Sequence, residues 1–162
     1  MINSPNTIEH ILPQETYPEY AIDVKNLIPS CGECNSAKGE DVVDKNGNKI
    51  IINYYTDIIP DEQFLFVDIS YNGGALTFRY RLANVNNKID FALFALIERH
   101  FKRLHLLDRY DEKAIQEMAE IKNTYLAEQF ENDEQFNVSP KNRFINAIWI
   151  HGIMVETIGR WC

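Results

Sequence analysis

Cysteine is scarce in this sequence of 162 residues. The three present, Cys31, Cys34 and Cys162, are too few and too odd in number for a disulfide framework. A reducing cytoplasm is therefore the expected compartment. Seven glycines and six prolines exclude a fibrous or low-complexity chain. No apolar run reaches the roughly 18 residues of a membrane span, so no membrane partner is expected. The first ten residues lack the basic and apolar regions of a signal peptide. Positive charge is in the minority, 16 Lys and Arg against 24 Asp and Glu, a net charge of −8. That balance argues against a general nucleic-acid coat. It leaves room for a local site where a bound metal ion supplies the positive charge.

What is present is an ordinary globular composition, 45% hydrophobic and 25% charged, without repeats or disordered linkers. Four of the six prolines and two of the three cysteines fall in the first 40 residues, which read as loops and short strands. Residues 7–12 (TIEHIL) are β-leaning, and Leu27-Ile28 is a second apolar step ending at Pro29. Cys34 to about Glu40 opens a short helix ending near Gly39. An Asn-Gly turn inside residues 44–48 separates two β-leaning stretches, Val42-Val43 and residues 50–55. Residues 64–70 and 75–82 predict a hairpin around Asn72-Gly73-Gly74. Helices are expected over 89–107 and 111–130. After an acidic break at 131–135, Ser139-Pro140 predicts the start of a last helix running to 158. The fold class is α+β, with residues 1–45 as a first module and 46–162 as a hairpin plus helical cap packed on it as one domain.

The chemistry concentrates between Thr7 and Gly39. One carboxylate (Glu9), one imidazole (His10), two carboxamides (Asn26 and Asn35) and the Cys31/Cys34 pair lie in a short, turn-rich stretch. That mix suits a hard divalent metal beside a general base, since Mg²⁺ takes one or two protein oxygens and keeps waters for substrate phosphate. Glu9 and His10 are adjacent on a strand and point to opposite faces, so a bulge or twist is needed to bring both to one site. Each residue also has a plainer reading. His10 is then a half-buried strand histidine bonded to a carbonyl, Asn26 and Asn35 are turn residues, and Cys31 and Cys34 are small buried thiols or a redox pair.

The blocks Glu9-His10-Ile11-Leu12-Pro13-Gln14, Asn26-Leu27-Ile28-Pro29 and Cys31-x-x-Cys34-Asn35-x-x-Lys38-Gly39 resemble the HNH endonucleases, whose site is a ββα-metal motif. The stretch Glu9 to Tyr20 is similar to bacterial HNH proteins of restriction and anti-phage defence. The resemblance implies a metal-dependent endonuclease cleaving phosphodiester bonds, in DNA rather than RNA. Glu9 and Asn35 would ligate Mg²⁺ or Mn²⁺, His10 would be the general base, Asn26 would orient its ring, and Lys38 would contact phosphate. Imidazole suits the task because it ordinarily titrates near neutral pH, and the metal would stabilise charge on the phosphate.

Many HNH proteins hold a structural zinc with two Cys-x-x-Cys pairs, and here Cys31 and Cys34 form a single pair. A zinc site of four protein ligands would need a lost upstream pair or completion from elsewhere, by a histidine, by Cys162 or by another chain. Otherwise the knuckle is metal-free. Arg99, Lys102, Arg103 and Arg109 gather near one helix end. They read either as a phosphate-contacting patch or as cations complementing the helix dipole. His100 and His105 share no helical face and make a poor metal pair. His151 reads as an interior histidine. The net charge suggests a protein partner that delivers the substrate. The alternative function is a non-catalytic binding or assembly protein on a degenerate HNH scaffold.

Overall fold

The computed structural model describes residues 4–72 and 75–127. The expected helix over 139–158, the acidic break, His151 and Cys162 lie outside the described residues, as do Gly73 and Gly74 of the hairpin turn. The described chain is α+β, with two small antiparallel sheets and three helices. None of these helices is long and apolar enough to cross a membrane.

The first sheet pairs β1 (Thr7–His10) with β2 (Leu27–Ser30), with Glu9 opposite Ile28 and His10 opposite Leu27. The Ile11 N–H still donates in register to the Asn26 carbonyl at 3.0 Å, but Leu12 N–H turns to the Asn26 side chain and Pro13 cannot donate to a ladder, so β1 ends there. A two-stranded sheet tolerates Pro29 because its strands have open edges. α1 (Gly32–Lys38) follows at once. Its Cys31 cap is extended, and Gly39 ends it at φ 59°, a backbone state that glycine adopts without a Cβ clash.

The second sheet is the hairpin of β3 (Leu65–Asn72) and β4 (Ala75–Leu82), in the register Asn72 to Ala75 and Leu65 to Leu82. Phe78 and Tyr80 face inward and Arg79 faces out, following the period-two pattern. α2 (Phe91–Arg103) begins at Asp90, whose carboxylate accepts from Ala92 N–H (2.9 Å) and Leu93 N–H (3.1 Å). It ends earlier than the expected 107, at Leu104, and His105 takes φ 52°. α3 (Leu106–Ala127) therefore starts five residues before the expected Asp111. That start makes Leu106 a core residue at 4% exposure.

Residues 50–55 depart from their β-leaning reading. Apart from one bridge between Val43 and Lys49, no strand forms there. Ile50, Ile51 and Ile52 are all buried in succession, which a strand with one wet face cannot achieve. The backbone finds another partner instead, since Ile52 N–H donates to His100 Nδ1 at 3.2 Å. One buried cluster joins this segment to Ile11, Cys31 and Cys34 from the N-terminal unit, Phe78 and Tyr80 from β4, and Ile97, Phe101 and Leu104 from α2 and its end.

Candidate functional site

β1, β2 and α1 place the sequence-predicted residues on two sides of one small sheet. Strand alternation runs without a bulge through the pair, so Glu9 and His10 face opposite ways.

On one side stands His10. Its Nε2 lies 3.0 Å from the Ala21 carbonyl. A carbonyl oxygen only accepts, so Nε2 carries a proton, and Nδ1 is the nitrogen left over. That bond serves a structural histidine and a general base alike, because a base needs its ring fixed and its tautomer set. Ala21 belongs to the loop between β1 and β2. Asn26, buried at 4% exposure, holds that loop. Its Nδ2 donates to the carbonyls of Leu12 and Tyr20, both at 3.0 Å, and its Oδ1 accepts from Leu12 N–H at 2.7 Å. The expected contact of Asn26 with the His10 ring is thus replaced by an indirect one. Asn26 fixes Tyr20, and the next residue supplies the carbonyl that holds the ring. A backbone carbonyl leaves no sequence signature, so Ala21 could not be read in advance.

On the other side are Glu9 and Asn35. Lys38 Nζ sits 2.9 Å from Glu9 Oε1, with side-chain exposures of 4% for the lysine and 13% for the glutamate. Lys38 also donates to the Gly39 carbonyl at 3.0 Å. It was expected to meet phosphate; here it is an interior cation. Asn35 Nδ2 reaches Thr7 Oγ1 at 3.4 Å. Below Glu9 is a cavity of about 20 Å³ lined by Ile11, Ser30, Ile51, His100 and Leu104 among others, space for about one water. The cavity is too small for a hydrated cation. As donors, a carboxylate and a carboxamide oxygen on neighbouring elements fit a hard divalent ion. Such an ion at Glu9 has to displace the Lys38 ammonium.

His100 forms the floor of this region at 2% exposure. Nδ1 accepts from Ile52 N–H, and Nε2 faces the Tyr54 hydroxyl at 3.4 Å. Burial pushes its pKa down to about 4, with the Asp57 carboxylate opposing weakly. His100 is neutral at physiological pH and serves packing. It is not paired with His105.

The expected phosphate patch is largely turned inward. Arg99 Nε donates to the Lys49 carbonyl at 2.7 Å. Arg103 donates twice to the Lys38 carbonyl, at 2.9 and 2.6 Å, and pairs with Asp41 at 2.9 Å. Arg109 Nη1 lies 3.0 Å from Cys34 Sγ, and Nη2 lies 3.3 Å from Cys31 Sγ. Of the four cations only Lys102 is exposed. The Arg109 contact to the cysteines spans 75 positions, beyond the reach of any spacing rule.

The chain is 32% identical over 123 residues to Protein ea31 of Escherichia phage lambda, covering 74% of this chain and 40% of that protein. It is 50% identical over 32 residues to Septu protein PtuB of Bacillus thuringiensis, covering 20% of this chain and 12% of that protein. The chain thus spans less than half the length of these curated relatives. No family model matches the sequence, and no solved structure does.

Proposed function

We propose that this chain is an HNH-type endonuclease module that hydrolyses phosphodiester bonds in DNA, in a cytoplasmic bacterial defence or restriction system. The observation that carries the reading is the held imidazole. His10 is fixed through Nε2 by Ala21, on a loop that Asn26 locks, which leaves Nδ1 as the nitrogen for proton transfer. In this role Nδ1 takes a proton from water. The resulting hydroxide attacks phosphorus, the P–O bond to the leaving oxygen breaks, and that oxygen takes a proton from solvent. Glu9 and Asn35 are the residues that would hold Mg²⁺ or Mn²⁺, which would stabilise charge on the phosphate oxygens; they lie on the other face of β1 from His10, so the reading requires a twist of β1 that brings both faces to one phosphate. A protein partner that brings the DNA is part of the proposal. Net charge −8 opposes a polyanion, and the arginines near the end of α2 are turned inward.

A plasmid-nicking assay tests this. Supercoiled DNA is incubated with the full chain and Mn²⁺ or Mg²⁺, alone and with RNA competitor, beside His10→Ala. Metal-dependent nicking lost in His10→Ala is the expected result. Nicking unchanged by the substitution overturns the role of His10.

The Glu9–Lys38 pair favours a second reading, a non-catalytic binding or assembly protein on this scaffold, because an internal cation already neutralises the one carboxylate of the motif. A Mn²⁺ titration separates the two. Saturable binding lost in Glu9→Gln supports the nuclease, and no binding supports the scaffold.

A further inference from the structure

We infer that the guanidinium of Arg109 stands in the place of a zinc ion on the Cys31/Cys34 pair and clasps α3 to α1 without metal. A Cys-x-x-Cys on a turn is half of a tetrahedral zinc site, which needs four ligands. Among the described residues no group of three or more His, Cys, Asp or Glu is placed to hold a metal. Both thiols are buried at 2% exposure, and what fills the space in front of them is the Arg109 fork. One terminal nitrogen goes to each sulfur, at 3.0 and 3.3 Å. Glu33, between the two cysteines, holds Nη2 at 2.8 Å, and the Leu104 carbonyl lies 3.4 Å from Nη1. The planar spread of a guanidinium suits two acceptors one helical turn apart, which an ammonium cannot match. Zinc binds sulfur at about 2.3 Å, so an ion on both sulfurs would crowd this cation. Burial disfavours the charged guanidinium, yet the bonds to Cys34 and Cys31 outweigh it and strengthen its hold on the proton. The Arg109 Nε is buried without a hydrogen-bond partner among the described residues. The fork is therefore seated for its terminal nitrogens, and the sulfurs determine where it sits. The clasp ties the helical part to the unit that carries His10, whether or not that unit cleaves DNA.

The full chain, purified without a metal-binding tag, is assayed for zinc by elemental analysis and for Tm with and without chelator. Thermal melts then compare Cys31→Ala, Arg109→Met and the double variant. The clasp predicts well under half a zinc per chain and a Tm that chelator leaves unchanged. It also predicts that Cys31→Ala costs several degrees in the natural background and much less once Arg109 is gone, the signature of coupled partners. One zinc per chain whose removal lowers Tm overturns the inference, and so do additive Tm losses in the cycle. If Arg109→Met does not fold, Arg109→Lys, which keeps the charge but reaches only one sulfur, takes its place.

Discussion

Replacing Asn26 by aspartate changes one atom pair and should cost more than its size suggests. The carboxamide makes three hydrogen bonds, two as donor and one as acceptor, at 4% exposure. Asn26→Asp keeps the acceptor for Leu12 N–H. It removes both donors and sets an oxygen against the carbonyls of Leu12 and Tyr20. An unsatisfied buried acceptor costs about 1–3 kcal/mol, so the two carbonyls together account for about 2–6 kcal/mol. Burying a carboxylate among acceptors adds to this until the group takes a proton. The new carboxyl has its folded-state pKa raised by burial and by those carbonyls, above about 3.9 in the unfolded chain. The sign follows from linkage. At low pH both states are protonated and the carboxyl O–H can serve one carbonyl, so the loss is small. As pH rises past the unfolded value, the unfolded state releases its proton first and the loss grows. Urea unfolding of both proteins at pH 4 and pH 7 measures it. The expected destabilisation is about 3–5 kcal/mol at pH 7, a large part of an ordinary domain's stability, and clearly less at pH 4. Cleavage should fall with it at temperatures where the variant is still folded, because the loop that positions Ala21 is loosened. A loss below about 1 kcal/mol at pH 7, or one that does not depend on pH, would refute the assignment of Asn26 as the lock of this loop.

Two more perturbations test the interior groups. His100 has its pKa lowered from 6.5 to about 4, so between those values the unfolded state binds a proton that the folded state refuses. Stability then falls as pH drops through that window, by about 3 kcal/mol in all. Compared with His100→Gln by urea unfolding, the natural chain should lose that much more between pH 7 and pH 4; equal pH dependence would count against it. Lys38→Met strands the Glu9 carboxylate and should cost about 3–5 kcal/mol. Mn²⁺ should restore part of the melting temperature if Glu9 is a ligand. A variant as stable as the natural chain without metal would show that the pair is not formed.

The hairpin was legible because β3 and β4 alternate cleanly and a glycine turn divides them. The first unit was legible as loops, short strands and a short helix, though α1 begins at Gly32, not Cys34, because Cys31 rather than a later residue caps it. Residues 50–55 were not legible. Their β-branched composition states a local preference, but their backbone partner is His100, 48 positions away. The break between α2 and α3 was also hidden, since histidine at φ 52° is not a usual helix stop. Within the site, alternation did foretell that Glu9 and His10 part company across β1. It could not foretell that Lys38, four positions beyond Cys34, folds inward to meet Glu9.

The cationic residues show why composition misled most where it looked most functional. A cluster of arginines at a helix end, in an acidic chain, invites a phosphate. In the fold two of these arginines, Arg99 and Arg103, meet backbone carbonyls, and Arg109 meets the two cysteine sulfurs. Gly39 ends α1 with an extended ψ of −152°. The Lys38 carbonyl is thereby left to Arg103, which takes it with two nitrogens. The Lys49 carbonyl, just before the buried Ile50–Ile52 run, goes to Arg99. The run's own Ile52 N–H goes to His100 on the same helix. α2 thus satisfies by side chain what a third strand would have satisfied by backbone, and long, always-charged donors suit that task. The consequence for function is direct. With Arg99, Arg103 and Arg109 committed inward, removing Arg103 or Arg109 should loosen the N-terminal unit, and removing Arg99 the segment that follows it. Of that cluster, only Lys102 is left exposed to meet a polyanion.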